Sequence, residues 1–155
     1  MSEQWLIDGY NLLHSLNSLG SFKTLSREGL LSMVAGFASF QKTDVLLVLD
    51  GIGSEAELAS YATAHFKAVF SQKDPADTYI ERYLFEYRTR RALVVVTDDR
   101  AIANIGRGGG ARVLSTSVYA KILKDTMKEN QDLLRKEEDR GHGFNRPFGD
   151  KLKDL

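Results

Sequence analysis

Six acidic side chains stand where a parallel α/β protein would bring them together. Asp8 closes the apolar run Trp5-Leu6-Ile7, Asp50 closes Val45 to Leu49, and Asp98 with Asp99 follows Ala92 to Val96. Asp77 and Glu81 are four apart after Asp74-Pro75, so one face of a predicted helix carries both, with a rise of about 6 Å between them. Gathered carboxylates raise one another's pKa unless a cation neutralises them. A hard divalent cation, Mg²⁺ or Mn²⁺, takes carboxylate and water oxygens; such a centre activates water and steadies charge on a transferring phosphoryl group. Phosphodiester hydrolysis is the chemistry expected of the set. A plainer reading stands beside it, because aspartates after strands also cap helices and close turns. Of Asp98 and Asp99, one is expected to cap a helix, with Asp99 facing the site.

Cations and an aromatic residue accompany the acids. Arg82 lies on the helix that bears Asp77, Arg100 and Arg107 follow the fourth strand, and Arg112 starts the fifth. Arginine forks onto phosphate oxygens, so these residues are expected to rim the acidic pocket and hold a phosphodiester backbone. Arg88, Arg90 and Arg91 read better as a solvated helix end. Asn11 can bind a phosphate oxygen, fix an aspartate, or merely form a turn, and Tyr10 can stack on a base or pack in the core. The glycine cluster Gly106 to Gly110 reads as a flexible, exposed backbone that closes over a substrate, or as a mobile surface loop.

The elements that must position these groups follow from the apolar pattern. Trp5 to Ile7, Val45 to Leu49, Phe66 to Phe70, Ala92 to Val96 and Ala111 to Leu114 read as five strands, the first opening into a loop at Asp8-Gly9-Tyr10-Asn11. A loop is expected over Ser15 to Ser21, then a helix capped by Thr24 or Ser26 and carrying Leu30, Leu31, Val34, Phe37 and Phe40. Further helices are expected over Glu55 to Ala64, after Asp74-Pro75 with aspartate as cap, over Asp99 to Ile105, and from Ser115 or Ser117 onward. Strands alternating with helices argue for a parallel, doubly wound sheet. Its functional crevice lies beyond the C-terminal strand ends, where the acids are. Residues 1–136 are expected to form one domain, and 137–155 a glycine-containing tail with Phe144 and Phe148 free to dock.

Composition removes several alternatives. The chain has 155 residues, 21 acids balancing 21 bases, no cysteine and three histidines, so thiolate chemistry and a histidine-built zinc site are excluded. Zero net charge argues against gripping long nucleic acid by charge alone. No apolar stretch is long enough to span a bilayer, and Glu3 and Asp8 oppose a signal peptide, so the cytosol is the expected compartment. The phosphate-loop, dinucleotide-binding and serine-elbow signatures are absent.

The ordered motifs Leu6-Ile7-Asp8-Gly9-Tyr10-Asn11, Leu47-Val48-Leu49-Asp50-Gly51, Ala76-Asp77-Thr78-Tyr79-Ile80-Glu81 and Val95-Val96-Thr97-Asp98-Asp99-Arg100 resemble the NYN domain family. The likeness is to its YacP-like branch, within the PIN-like ribonuclease group. It covers about Trp5 to Leu123. The resemblance implies a three-layer α/β sandwich with a mostly parallel five-stranded sheet in the order 3-2-1-4-5. It also implies metal-dependent cleavage of RNA, in a branch that includes an endoribonuclease of the translating ribosome. Family site positions fall on Asp8, Asn11, Asp50, Asp77 and Asp99, while Asp98 departs from the serine or asparagine common there.

The resulting expectation is a Mg²⁺- or Mn²⁺-dependent endoribonuclease acting on single-stranded or ribosome-exposed RNA. Asp8, Asp77 and Asp99, joined by Asp98, are the expected metal ligands, with Asp50 and Glu81 completing the catalytic set. The alternative is an RNA-binding or ribosome-associated module with weak or no nuclease activity. A small-molecule phosphohydrolase ranks below both. The sequence leaves the oligomeric state open.

Overall fold

A computed structural model describes residues 3–19, 24–87 and 91–153, the stretch 141–153 as helix backbone alone. The chain runs β1 (Gln4–Asp8), α1 (Gly9–Ser18), α2 (Arg27–Gln41), β2 (Asp44–Leu49), α3 (Glu55–Ala59), β3 (Phe66–Phe70), α4 (Ala76–Glu86), β4 (Leu93–Val96), α5 (Arg100–Gly108), β5 (Arg112–Leu114) and α6 (Thr116–Lys153). The strands form one sheet in the order β3-β2-β1-β4-β5, and all its pairings are parallel. Strand order reverses between β1 and β4, so the crevice of a doubly wound sheet falls at Asp8 and at Asp98–Asp99.

Alternation along the strands builds two cores. Trp5, Ile7, Val45, Leu47, Val94 and Val96 face α1, α2 and α6, whereas Leu6, Val48, Leu93 and Val95 face α4 and α5. Trp5, Phe37 and Tyr119 pack ring to ring in the first core, with centroids 5.2 to 5.4 Å apart. Among the described residues, no helix is long and apolar enough to cross a membrane.

Several elements differ from the sequence pattern. The loop expected at Gly9-Tyr10-Asn11 is the first turn of α1, which continues through Ser15 to Ser18. A Cβ on Gly9 would sit 2.9 Å from the Val48 carbonyl oxygen, so only glycine lets the helix start directly against β2. Gly106 to Gly108 are not a loop either. They end α5, and Gly106 is buried where a Cβ would lie 3.3 Å from Val113 Cγ2. α3 stops at Ala59 rather than Ala64. α6 runs on as helix through residue 153. Arg88, Arg90 and the side chains of Phe144 and Phe148 lie outside the described residues.

Candidate nucleic-acid interface

Four strand-end aspartates each hold a helix N-terminus, and this decides where their carboxylates point. Asp8 is the last residue of β1 and the N-cap of α1; it accepts from the Asn11 backbone N–H at 3.2 Å and from Asn11 Nδ2 at 2.9 Å. Asp99 caps its own helix, α5, accepting from the Ile102 N–H at 2.9 Å. The other two reach across the fold. Asp50 accepts from the Ala76 N–H at 2.9 Å, at the start of α4, where Pro75 occupies the cap position and has no side chain to offer. Asp98 accepts from the Thr116 N–H at 2.9 Å and the Thr116 hydroxyl at 2.6 Å, at the start of α6. Asp74, the cap expected for α4, instead pairs with Arg82 at 2.9 Å.

The acids feel one another across this edge. Burial pushes the Asp8 carboxyl up to about 6; the Asn11 N–H opposes the rise, and Asp77 and Asp98 add to it. Asp8 is 3% exposed, so water screens little of that cost. Asp77, in the first turn of α4, is also raised, by partial burial first and then by Asp99 and Asp50. Glu81 is exposed one turn further along α4.

Mutual repulsion is not a metal centre. Among the described residues, no group of three or more His, Cys, Asp or Glu side chains could hold a metal ion. The strand-end carboxylates are drawn to four different helices, and both oxygens of Asp8 and of Asp98 already accept hydrogen bonds. The expectation of a Mg²⁺- or Mn²⁺-dependent endoribonuclease is corrected accordingly. So is the metal that Asp8, Asp77, Asp98 and Asp99 were expected to hold.

The expected cationic rim divides. Arg100 and Arg107 are exposed on α5 and line a cavity of about 440 Å³ with Thr97, Asp98, Asn104 and Ser115, beside the strand ends. Asn104 was not singled out from sequence, although its spacing from Arg100 and Arg107 on a helix carries the signal. Arg112 is at the opposite end of the sheet. It pairs with Glu3 at 3.3 Å and lies over the Trp5 ring, because β5 runs parallel to β4 and so begins far from the acids. Arg91 belongs to that far end too, bonded to Asp44 at 2.9 Å. Asn11 is committed to Asp8, whereas Tyr10 is 66% exposed beside it.

A three-layer sandwich on a fully parallel sheet in this order, with acids along the C-terminal edge, is the PIN-like architecture. The family model of the YacP-like NYN domain matches residues 5–154, and the chain belongs to that family. No curated protein is a match for the chain. Among solved structures it is similar to Rae1 (YacP) from Bacillus subtilis, 18% identical, over 99% of this chain and 91% of that one, with a TM-score of 0.72. A tryptophan-to-leucine mutant of the same protein is 20% identical over 88% of this chain and 84% of its own, with a TM-score of 0.68. At such identity the likeness is one of fold.

Proposed function

We propose that this chain is an RNA-binding, ribosome-associated module whose nuclease activity is weak or absent. The observation that carries this reading is the face of α5. Arg100, Asn104 and Arg107 recur at i, i+4 and i+7 around one open cavity at the edge where a doubly wound sheet binds its ligand. Guanidinium groups fork onto phosphate oxygens, and the Asn104 amide can donate to and accept from a sugar or a base edge.

The neighbouring acids do not forbid an anionic partner. α1, α4, α5 and α6 all begin here, and each N-terminus carries roughly half a positive charge facing its aspartate. Membership of the YacP-like NYN family supports RNA as the partner class. The ribosome as the setting rests on what the resemblance implies, and the cytoplasm is proposed as the compartment that goes with that setting. Residues 1–136 are taken as the binding unit and 137–155 as its appendage.

The test is the salt dependence of binding to short unstructured RNA. Arg100→Ala and Arg107→Ala should each weaken binding and reduce the slope of log affinity against log salt by about 0.7, the value for one single-strand phosphate contact. Unchanged slopes in both variants would remove α5 from the interface. Rapid cleavage of RNA by the wild type, abolished in Asp8→Asn, would overturn the weak-nuclease part.

A further inference from the structure

We infer that Ile52, with Tyr10, forms a platform for the bases of single-stranded RNA, on the side of the site away from the α5 arginines. This deepens the RNA-binding reading and rests on it. Ile52 is 78% exposed and Tyr10 66%. Each follows the C-terminal end of a strand, Tyr10 after β1 and Ile52 after β2, and these strands are direct neighbours in the sheet.

A lone exposed apolar side chain is ordinary on a protein surface. Ile52 differs because its loop is anchored on both sides. The Gly51 N–H donates to the Ser71 hydroxyl at 3.1 Å, the Gln72 N–H donates to the Gly51 carbonyl at 2.8 Å, and Gln72 Nε2 donates to the Gly53 carbonyl at 2.8 Å. Gly51 has φ +124°, which an L side chain rarely adopts, and a Cβ on Gly53 would lie 2.3 Å from the Phe70 ring. The backbone either side of Ile52 is thereby fixed, and the side chain is held in water. Tyr10 is presented as firmly, in the first turn of a helix seated on β2 through Gly9 and capped by Asp8.

The occupant follows from what surrounds the pair. Two apolar side chains are far short of the roughly 800 Å² per partner that a stable protein interface needs. They match the face of a nucleobase, which stacks on aromatic and apolar groups once unpaired. The phosphate-binding groups stand at a compatible distance. β2 and β4 are two strand spacings apart, about 10 Å, so one strand of RNA can lay bases on Tyr10 and Ile52 and its backbone on Arg100 and Arg107. A duplex keeps its base faces stacked inside and offers Ile52 no partner.

Three probes separate the outcomes: a short unstructured oligoribonucleotide, the same strand made abasic at its central positions, and a duplex of equal length. Fluorescence anisotropy reads their affinities for wild type, Ile52→Ser and Tyr10→Ala, with far-UV circular dichroism confirming that each variant folds. Ile52→Ser should lose about fivefold, and Tyr10→Ala about tenfold, on the intact strand, within the range of one stacked base. Neither should lose affinity for the abasic strand or the duplex, and the salt slope should not change. Equal affinity of Ile52→Ser and wild type for the intact strand would overturn the platform. So would an equal loss on the abasic strand. Loss of co-sedimentation with purified ribosomes, without loss of oligonucleotide binding, would also overturn it, making the patch a contact with the ribosome rather than with a free strand. Wild type that binds none of the probes would sink the RNA-binding reading itself, which distinguishes that failure from failure of the platform alone.

Discussion

Replacing Asp8 with asparagine removes a charge that the folded protein holds at a cost. The carboxyl titrates near 6 in the fold against an ordinary 3.8, because it is buried and faces Asp77 and Asp98. Between those two values the folded state binds more protons than the unfolded state, so Asp8 lowers stability as pH rises through that window. Above about pH 6 the full penalty is present, about two units at 1.36 kcal/mol each, or roughly 3 kcal/mol. Asparagine caps a helix nearly as well as aspartate, and its oxygen can still accept the Asn11 N–H. Its amide would face the Asn11 amide donor, which must turn end for end to accept instead. Allowing for that rearrangement, Asp8→Asn should be more stable than wild type by about 1–2 kcal/mol at pH 7.5, roughly 2–8 °C in Tm. The gap should narrow as pH falls from 6 toward 3.8, since only below that value is Asp8 protonated in the unfolded state as well as in the fold. Urea and thermal unfolding followed by circular dichroism between pH 4 and 8 measure it. A variant less stable than wild type by the same amount at pH 4.5 and 7.5 would refute the reasoning, since the loss would then come from the cap and not from a buried charge.

The remaining predictions concern the packing behind the site. The Tyr119 hydroxyl is buried and has no hydrogen-bond partner among the described residues, so Tyr119→Phe should be neutral or stabilising by about 1 kcal/mol, read as an unchanged or higher urea midpoint. Gly9→Ala would drive a methyl group into the Val48 carbonyl and Leu49, which should cost about 1–3 kcal/mol and lower Tm. If Gly9→Ala were as stable as wild type, α1 would have to start further from β2 than described here.

The strands and their roles were legible in the sequence, because a strand buried on both faces must be an unbroken apolar run. Val45 to Leu49 and the valines ending at Val96 could be little else. Acids at the ends of such runs follow from the same logic: a chain leaving the core needs a polar residue that also starts the next helix. A cap for α2 at Thr24 or Ser26 was visible for the same local reason, and the fold uses Ser26. α1 was not, because Gly-Tyr-Asn has the local chemistry of a turn, and only the close approach to Val48 explains why a helix begins with glycine.

Which way Asp50 and Asp98 turn was decided by tertiary structure alone. Asp50 caps a helix 26 residues later and Asp98 one 18 residues later, pairings that no local pattern encodes. Those long-range caps leave acids that repel one another without gathering into a group able to hold a metal ion. Arg112 has the residue type for a phosphate rim, yet strand direction carries it to the far edge beside Glu3. Residue type and spacing thus determined the strands, the order of elements and the edge where the acids fall. The orientation of side chains at that edge depends on distant backbone N–H groups that need an acceptor, and only the folded chain brings them within reach.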